Sequence, residues 1–274
     1  MKKLLTFVLN KTANLAPSWN GKLAFSLLCK VQRIEISHKG NEFLDAATET
    51  KLNHDKYEAT VYRYGNGSKN LIFLHGWLSN SERWRETIQA IDLEVYSCYL
   101  VDAPGHGRSK GNNLNLEIYR IFLTDLLKSL GTAHAVIGHS LGSLVTAYTY
   151  LEDPRLPIDR YVITGAPAGM NSIYVFFKRI MHLNDKVIAN MDSYINRNIT
   201  LVNANEINIS NFLKEVKQPV LVIHDHDDKV CPITYIETAV AYNEDVITFF
   251  TSGLGHNLLD KKVIDRTIGF LDHA

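Results

Sequence analysis

The sequence predicts an α/β protein with a mostly parallel central sheet covered by helices on both faces. Three observations predict it. Short apolar runs alternate with helical patterns from about residue 57 onward. Several of those runs are apolar throughout, as strands buried on both faces must be. The residues with chemical potential fall at the ends of the runs: Gly76, Asp102, Ser140, Asp228 and His256. In open sheets of this class, ligands bind beyond the carboxyl ends of the strands.

Residues 1–52 read as an N-terminal helical extension. Leu23, Phe25, Leu27 and Leu28 recur at near-helical spacing, and a mostly polar stretch follows from Ile34 to Lys51. One or two amphipathic helices packed on the main body are expected, serving packing, dimerisation or membrane-surface contact, in that order. Met1-Lys2-Lys3 before Leu4, Leu5, Phe7, Val8 and Leu9 resembles the front of a secretory signal. Asn10-Lys11 cuts that run and no small-x-small cleavage site follows, so it reads as a surface helix. No stretch approaches the roughly 20 apolar residues of a membrane span.

Residues 53–274 read as the main domain. Tyr57 to Tyr64 alternates like a half-exposed strand, and Gly65-Asn66-Gly67 turns into a buried strand at Leu71 to Leu74. Ser81 to Ile91 is helical and Val95 to Val101 a strand. Leu116 to Leu130 has helical periodicity and stops at Gly131. Ala133 to Ile137 is a strand and Leu141 to Leu151 a helix. Tyr161 to Ile163, Val220 to Ile223 and Val246 to Phe250 are further strands, and Lys262 to Leu271 is a closing helix. The rhythm breaks at about 170–217, where Ile173, Tyr174, Phe176, Phe177, Ile180 and Met181 form an aromatic-rich helical run continued by Met191, Tyr194 and Ile195. This stretch reads as a small helical cap inserted over the site, with ordinary packing against the sheet as the alternative.

Composition excludes some classes. Lysine plus arginine balances aspartate plus glutamate, so no net field draws in nucleic acid. Cys29, Cys98 and Cys231 are odd in number and far apart, which fits reduced thiols in a cytoplasmic protein.

Gly138-His139-Ser140-Leu141-Gly142 is a G-x-S-x-G turn between a strand and a helix, the context of a nucleophile elbow. Serine needs an oriented base to attack a carbonyl. Downstream, the candidate acids are Asp225, Asp227 and Asp228, and the candidate base is His256 in Gly253-Leu254-Gly255-His256. A rival run, His224-Asp225-His226-Asp227-Asp228, contains H-x-H-x-D and resembles a zinc-binding segment of metallo-β-lactamase-type hydrolases. Lys229 stands where that pattern wants a further histidine.

Several motifs together resemble the α/β-hydrolase fold superfamily, in its serine esterase, perhydrolase and C–C hydrolase branch. They are Leu74-His75-Gly76-Trp77, Asp102-Ala103-Pro104-Gly105-His106-Gly107-Arg108-Ser109, the elbow, Asp228-Lys229-Val230-Cys231-Pro232 and Gly255-His256. The resemblance covers roughly residues 55 to 274. It implies Ser140 as nucleophile, His256 as base and Asp228 as the acid, with the backbone N–H groups of Trp77 and Leu141 as the oxyanion hole. Gly76 and His139 would border the substrate pocket. His75 and the loop from Asp102 to Ser109 would shape the site rather than react. Serine at the elbow argues against epoxide hydrolase and haloalkane dehalogenase activity, which use aspartate there. Asp225 departs from the pattern, which usually has glycine at that position. Such a carboxylate would sit in solvent or shift the histidine.

The expectation is therefore a serine hydrolase acting on a small, partly apolar ester or thioester through an acyl-enzyme, without cofactor or metal. A C–C bond hydrolase using the same three residues, and a non-catalytic ligand-binding module on this fold, are the alternatives. The reading leaves room for a homodimer.

Overall fold

The computed structural model describes residues 2–272. Its sheet contains β1 (Thr48–His54), β2 (Tyr57–Tyr64), β3 (Lys69–Leu74), β4 (Tyr96–Asp102), β5 (Ala135–His139), β6 (Tyr161–Thr164), β7 (Val220–Asp225) and β8 (Ile247–Thr251). Their order is β1-β2-β4-β3-β5-β6-β7-β8. The pairs β1/β2 and β2/β4 are antiparallel, and every other neighbouring pair is parallel. The order reverses at β3, whose neighbours are β4 and β5. That reversal opens a crevice at the carboxyl ends of β3 and β5, the ligand position in sheets of this kind.

Alternation within each strand explains the layering. In β3, Ile72 and Leu74 join one hydrophobic core while Leu71 and Phe73 join the other; in β7, Val220 and Val222 oppose Leu221 and Ile223. Both faces are therefore apolar, and both must be covered. One face is covered by α5 (Leu116–Leu130) and α6 (Leu141–Glu152), the other by α3 (His38–Asp45), α4 (Arg85–Ala90) and α11 (Lys261–Asp272). The Asn115 side chain caps α5 by accepting from Ile118 N–H (2.9 Å), and Gly131 ends it at φ 78°.

One reading of the sequence is corrected. β1 was not expected: it straddles the boundary at residue 52, and its polar residues form an exposed edge strand paired only with β2.

Between β6 and β7 the chain forms α7 (Met170–Met181), α8 (Asp185–Asn198) and α9 (Ile209–Glu215). The excursion is pinched at its base, where Met170 N–H donates to Ile207 O (3.0 Å) and Ile209 N–H to Ala168 O (2.9 Å). The N-terminal helices α1 (Lys2–Thr12) and α2 (Pro17–Leu28) pack against it. Gly21 of α2 lies so close to α8 that a Cβ there would stand 2.2 Å from Asn190 O, so only glycine fits. The contact is fixed by buried asparagines. Asn190 Nδ2 donates to Ala13 O (2.8 Å) and Asn20 Oδ1 (3.2 Å), and Asn20 Nδ2 donates to Leu9 O (2.8 Å). Near the carboxyl end of the sheet, Arg33 donates to the carbonyls of His106 and Ser109 at 3.4 and 2.5 Å, bracing the loop after β4. The last helix of the chain outside these layers, α10 (Thr234–Val240), lies between β7 and β8.

Candidate active site

The site grows from the turn that joins β5 to α6. Ser140 sits at φ 53°, ψ −118°, a conformation costing a non-glycine residue on the order of 1–3 kcal/mol. It persists because its surroundings over-determine it. Ser140 N–H donates to Thr164 O (2.9 Å) on β6, and a Cβ at Gly138 or Gly142 would collide with backbone at 2.6 and 2.3 Å. The turn lifts the hydroxyl off the sheet and leaves the first N–H groups of α6 facing the crevice.

Ser140 Oγ lies 3.0 Å from His256 Nε2, and His256 Nδ1 lies 2.8 Å from Asp228 Oδ2. An ionised carboxylate only accepts, so Nδ1 carries the proton and Nε2 is free to accept from serine. Asp228 is buried. Burial alone would raise its carboxyl, but the hydrogen bonds from His256, Cys231 N–H and Val230 N–H hold it below the usual carboxylate range. His224 Nε2 donates to Cys231 O (2.7 Å) and steadies the same loop.

The loop after β3 closes the other side. A Cβ on Gly76 would stand 2.9 Å from Ser140 Cβ, so this backbone lies against the serine. Next to it are Trp77, whose ring packs edge-on against His106 (5.4 Å), and Leu78, held at φ 51°. Among the described residues, neither the Trp77 nor the Leu141 backbone N–H is taken by a protein acceptor. Leu258, two residues past His256, is a third strained position at φ 53°. Strain of this kind collects where a site is preorganised.

Asp102 is buried and occupied. It accepts from Tyr62 Oη (2.9 Å), Ser81 N–H (2.7 Å) and Arg108 N–H (2.8 Å), which folds the loop from Asp102 to Ser109 around it. His75 donates from Nδ1 to Gly76 O (2.7 Å) and accepts at Nε2 from Ala103 N–H (3.1 Å). Burial pushes His75 down, and it pushes His106 down to about 3, so both rings stay neutral. His139 is also buried rather than open to the crevice. Its Nε2 donates to His256 O (2.9 Å), and burial beside Arg83 holds the ring well below the ordinary range.

The sequence did not reveal the role of Asp225. It is fully buried rather than in solvent. Oδ2 accepts from Thr251 Oγ1 (2.6 Å) and Leu254 N–H (3.1 Å), and Oδ1 accepts from Gly255 N–H (3.0 Å) and Asp227 N–H (2.9 Å). Gly253 and Gly255 have φ 82° and 61°, which turns consecutive N–H groups toward the carboxylate as an anion nest. Burial raises this carboxyl, yet those four donors hold it below the usual range. The available signal was a carboxylate before a Thr-x-Gly-x-Gly run, but only the backbone conformation joins them.

The H-x-H-x-D run does not converge. His224 is buried against Cys231, while His226 is exposed and packs edge-on against Phe250. Asp228, Cys231 and His256 do approach one another, but Asp228 and His256 are already hydrogen bonded, and burial pushes the Cys231 thiol up to about 12.

A model of the α/β-hydrolase fold family matches residues 69–183, from β3 past the elbow into the excursion. The match spans less than half of the chain, and the fold it describes is the one seen here: the chain has an α/β-hydrolase fold. Solved α/β-hydrolase structures superpose over most of it. An esterase from a Rhodococcus strain has a TM-score of 0.61 at 17% identity, covering 83% of this chain and 99% of that one. The naproxen esterase of Bacillus subtilis has a TM-score of 0.62 at 19% identity, covering 85% and 95%. In sequence, the pimeloyl-[acyl-carrier protein] methyl ester esterase of Cronobacter sakazakii is 35% identical over 95 residues, 33% of this chain and 34% of that protein. The enzyme of the same name from Edwardsiella ictaluri is 30% identical over 105 residues, 38% and 39%. The chain thus spans a little over a third of the length of these curated relatives. The counterpart from Wigglesworthia glossinidia brevipalpis is 24% identical over 210 residues, 63% of this chain and 80% of that protein.

Proposed function

We propose that this α/β-hydrolase is a serine hydrolase that cleaves a carboxylic ester or thioester of a small, partly apolar substrate through an acyl-enzyme. The observation that carries the reading is the unbroken relay from Asp228 through His256 to Ser140, at 2.8 and 3.0 Å, ending on a strained serine. That the matched curated relatives are named methyl ester esterases supports the ester class.

In this mechanism His256 Nε2 removes the Ser140 proton as Oγ attacks the carbonyl carbon. The carbonyl electrons move to oxygen, and the resulting oxyanion accepts hydrogen bonds from the N–H groups of Trp77 and Leu141 at the positive end of α6. Asp228 stabilises the imidazolium, which then gives its proton to the departing alcohol or thiol. Water repeats the sequence on the acyl-enzyme and releases the acid. Donors fixed on rigid elements need no reorganisation as charge develops, and loss of one such donor costs a factor of about 10²–10³.

The test is hydrolysis of p-nitrophenyl esters of graded acyl length, wild type beside Ser140→Ala, with fluorophosphonate labelling in parallel. Turnover and labelling confined to the wild type are expected, and the chain-length optimum sizes the acyl pocket. Full labelling of Ser140→Ala overturns the assignment. Absence of both turnover and labelling in the wild type favours a binding module.

A further inference from the structure

We propose that the outward faces of α1 and α7 form a docking surface for an anionic lipid membrane. The starting observation is an inverted pattern. A helix on a protein surface ordinarily turns its apolar stripe inward and polar residues outward. α1 does bury Leu9, and Ala13 follows it into the core, yet Leu4 and Phe7 project outward. Leu15 and Trp19 project from the turn into α2, and Val175, Phe176 and Ile180 from α7. These seven large apolar side chains keep between 41% and 82% of their surface exposed.

α1 is tied to the C-terminal end of α7 and to the turn that follows it. Thr6 Oγ1 donates to Met181 O (2.9 Å), Asn10 Nδ2 to His182 O (3.0 Å), and Asn184 N–H to Asn10 Oδ1 (2.9 Å). The buried Asn20 and Asn190 contacts lock α1 and α2 onto α8 behind it.

Charge names the partner. The chain is neutral overall, but its first acidic residue is Glu35. Lys2, Lys3, Lys11 and Lys22 lie on α1 and α2, and Lys178 and Arg179 on α7; these three helices contain no acidic residue. Asp185, at the start of α8, pairs with Lys178 and answers one of these charges. Lys11 lies over the Phe7 ring (5.9 Å) and Arg179 over the Phe176 ring (5.7 Å), the arrangement in which a cation reaches headgroups while its aromatic neighbour enters the acyl boundary. A second copy of this chain would bring like charges together across a two-fold contact. The surface is two helix flanks rather than a groove, which suits a lipid plane better than a single peptide or helix.

The proposal does not depend on the esterase reading, because binding requires no turnover. The experiment is co-flotation of the full chain with vesicles of phosphatidylcholine, with and without phosphatidylglycerol. Binding to the anionic vesicles is expected, falling as salt is raised, with little binding to the zwitterionic ones. Each cation near an anionic surface strengthens binding roughly fivefold, so Lys3→Gln with Lys11→Gln should weaken it about 25-fold. Phe7→Ser with Phe176→Ser should weaken it by at least about tenfold. Should the serine pair lose its fold by circular dichroism, the glutamine pair, which removes no buried atom, decides. Absence of binding to anionic vesicles overturns the proposal, as does binding unchanged in the glutamine pair. So does a lipid-independent dimer that the serine pair abolishes.

Discussion

Replacing Asp225 with alanine removes the acceptor of four hydrogen bonds, from Thr251 Oγ1 and the N–H groups of Asp227, Leu254 and Gly255. A hydrogen bond to an ionised partner contributes about 1.5–3 kcal/mol, so the gross loss is roughly 6–12 kcal/mol. Much of it is offset, because the variant no longer buries a charge and water takes over some of the donors. A net destabilisation of about 2–4 kcal/mol follows, and for a chain of this size that lowers the melting temperature by roughly 3–7 °C. Activity should fall further than stability suggests. Gly255 precedes His256, whose Nε2 must stay near its 3.0 Å from Ser140 Oγ, and a displacement of about 1 Å costs on the order of a hundredfold. The loss should appear in kcat more than in KM, since the loop carries His256, the proposed base. Asp225→Asn should recover about half of both effects: its amide can satisfy the Thr251 hydroxyl, which rotates to accept, but not the Leu254 N–H. The acid dependence has a definite sign. The folded-state carboxyl is depressed, so its stabilisation is full above the ordinary carboxylate value of about 4 and is lost as pH falls through the depressed one. The stability gap between wild type and Asp225→Ala should therefore be constant near neutrality and narrow at acid pH. Thermal melts across pH and steady-state kinetics on p-nitrophenyl butyrate measure all of this. A variant that melts within a degree of wild type with unchanged kcat refutes the clamp.

Three further outcomes are expected. Asp228→Asn should lower kcat by about 10⁴ through the wrong histidine tautomer, while its Oδ1 still accepts from Val230 and Cys231 and the fold survives; a loss under tenfold in ester turnover counts against Asp228 as the orienting acid. Ser140→Gly should raise stability by about 1 kcal/mol by relieving the φ of 53°, seen as a higher urea midpoint; a lower midpoint would mean the turn is not strained. Asn20→Ala should cost about 2–3 kcal/mol, because it leaves Leu9 O and Asn190 Nδ2 short of partners inside the α2–α8 contact; a change under 0.5 kcal/mol in chemical denaturation would show that the contact does not stabilise the fold.

The parallel strands were legible because burial on both faces leaves little choice of residue. Leu71 to Leu74 and Val220 to Ile223 are apolar at every position for that reason. β1 was not legible for the opposite reason. Its residues, Thr48-Glu49-Thr50-Lys51-Leu52-Asn53-His54, form an exposed edge whose stability comes from pairing with β2. A strand with no buried face leaves no period in the sequence, and polar edges are favoured because they resist pairing with other chains. The helical character of residues 2 to 28 was readable, but not the surface they meet. That is set by Gly21 against Asn190 O, a contact between positions 169 residues apart.

The same distinction governs the site. That Ser140, Asp228 and His256 come together was readable because chain order and local turns constrain them: an elbow needs small neighbours, and Asp228 and His256 each follow a strand. Asp225 was visible only as a departure. A glycine at that position, as in the resembling pattern, would leave the histidine loop to other contacts. Here the carboxylate draws in the N–H groups of Leu254 and Gly255, and Gly253 and Gly255 supply the positive φ that lets them turn. The three residues make sense only together. Asp225 without the glycines would be a buried charge left with two of its four donors, and the glycines without Asp225 would leave a loose loop carrying His256. A coupled change of this kind should be strongly non-additive: once Asp225 is alanine, stiffening Gly253 or Gly255 to alanine should cost much less than it does in the wild type, because the conformation that they serve is already lost.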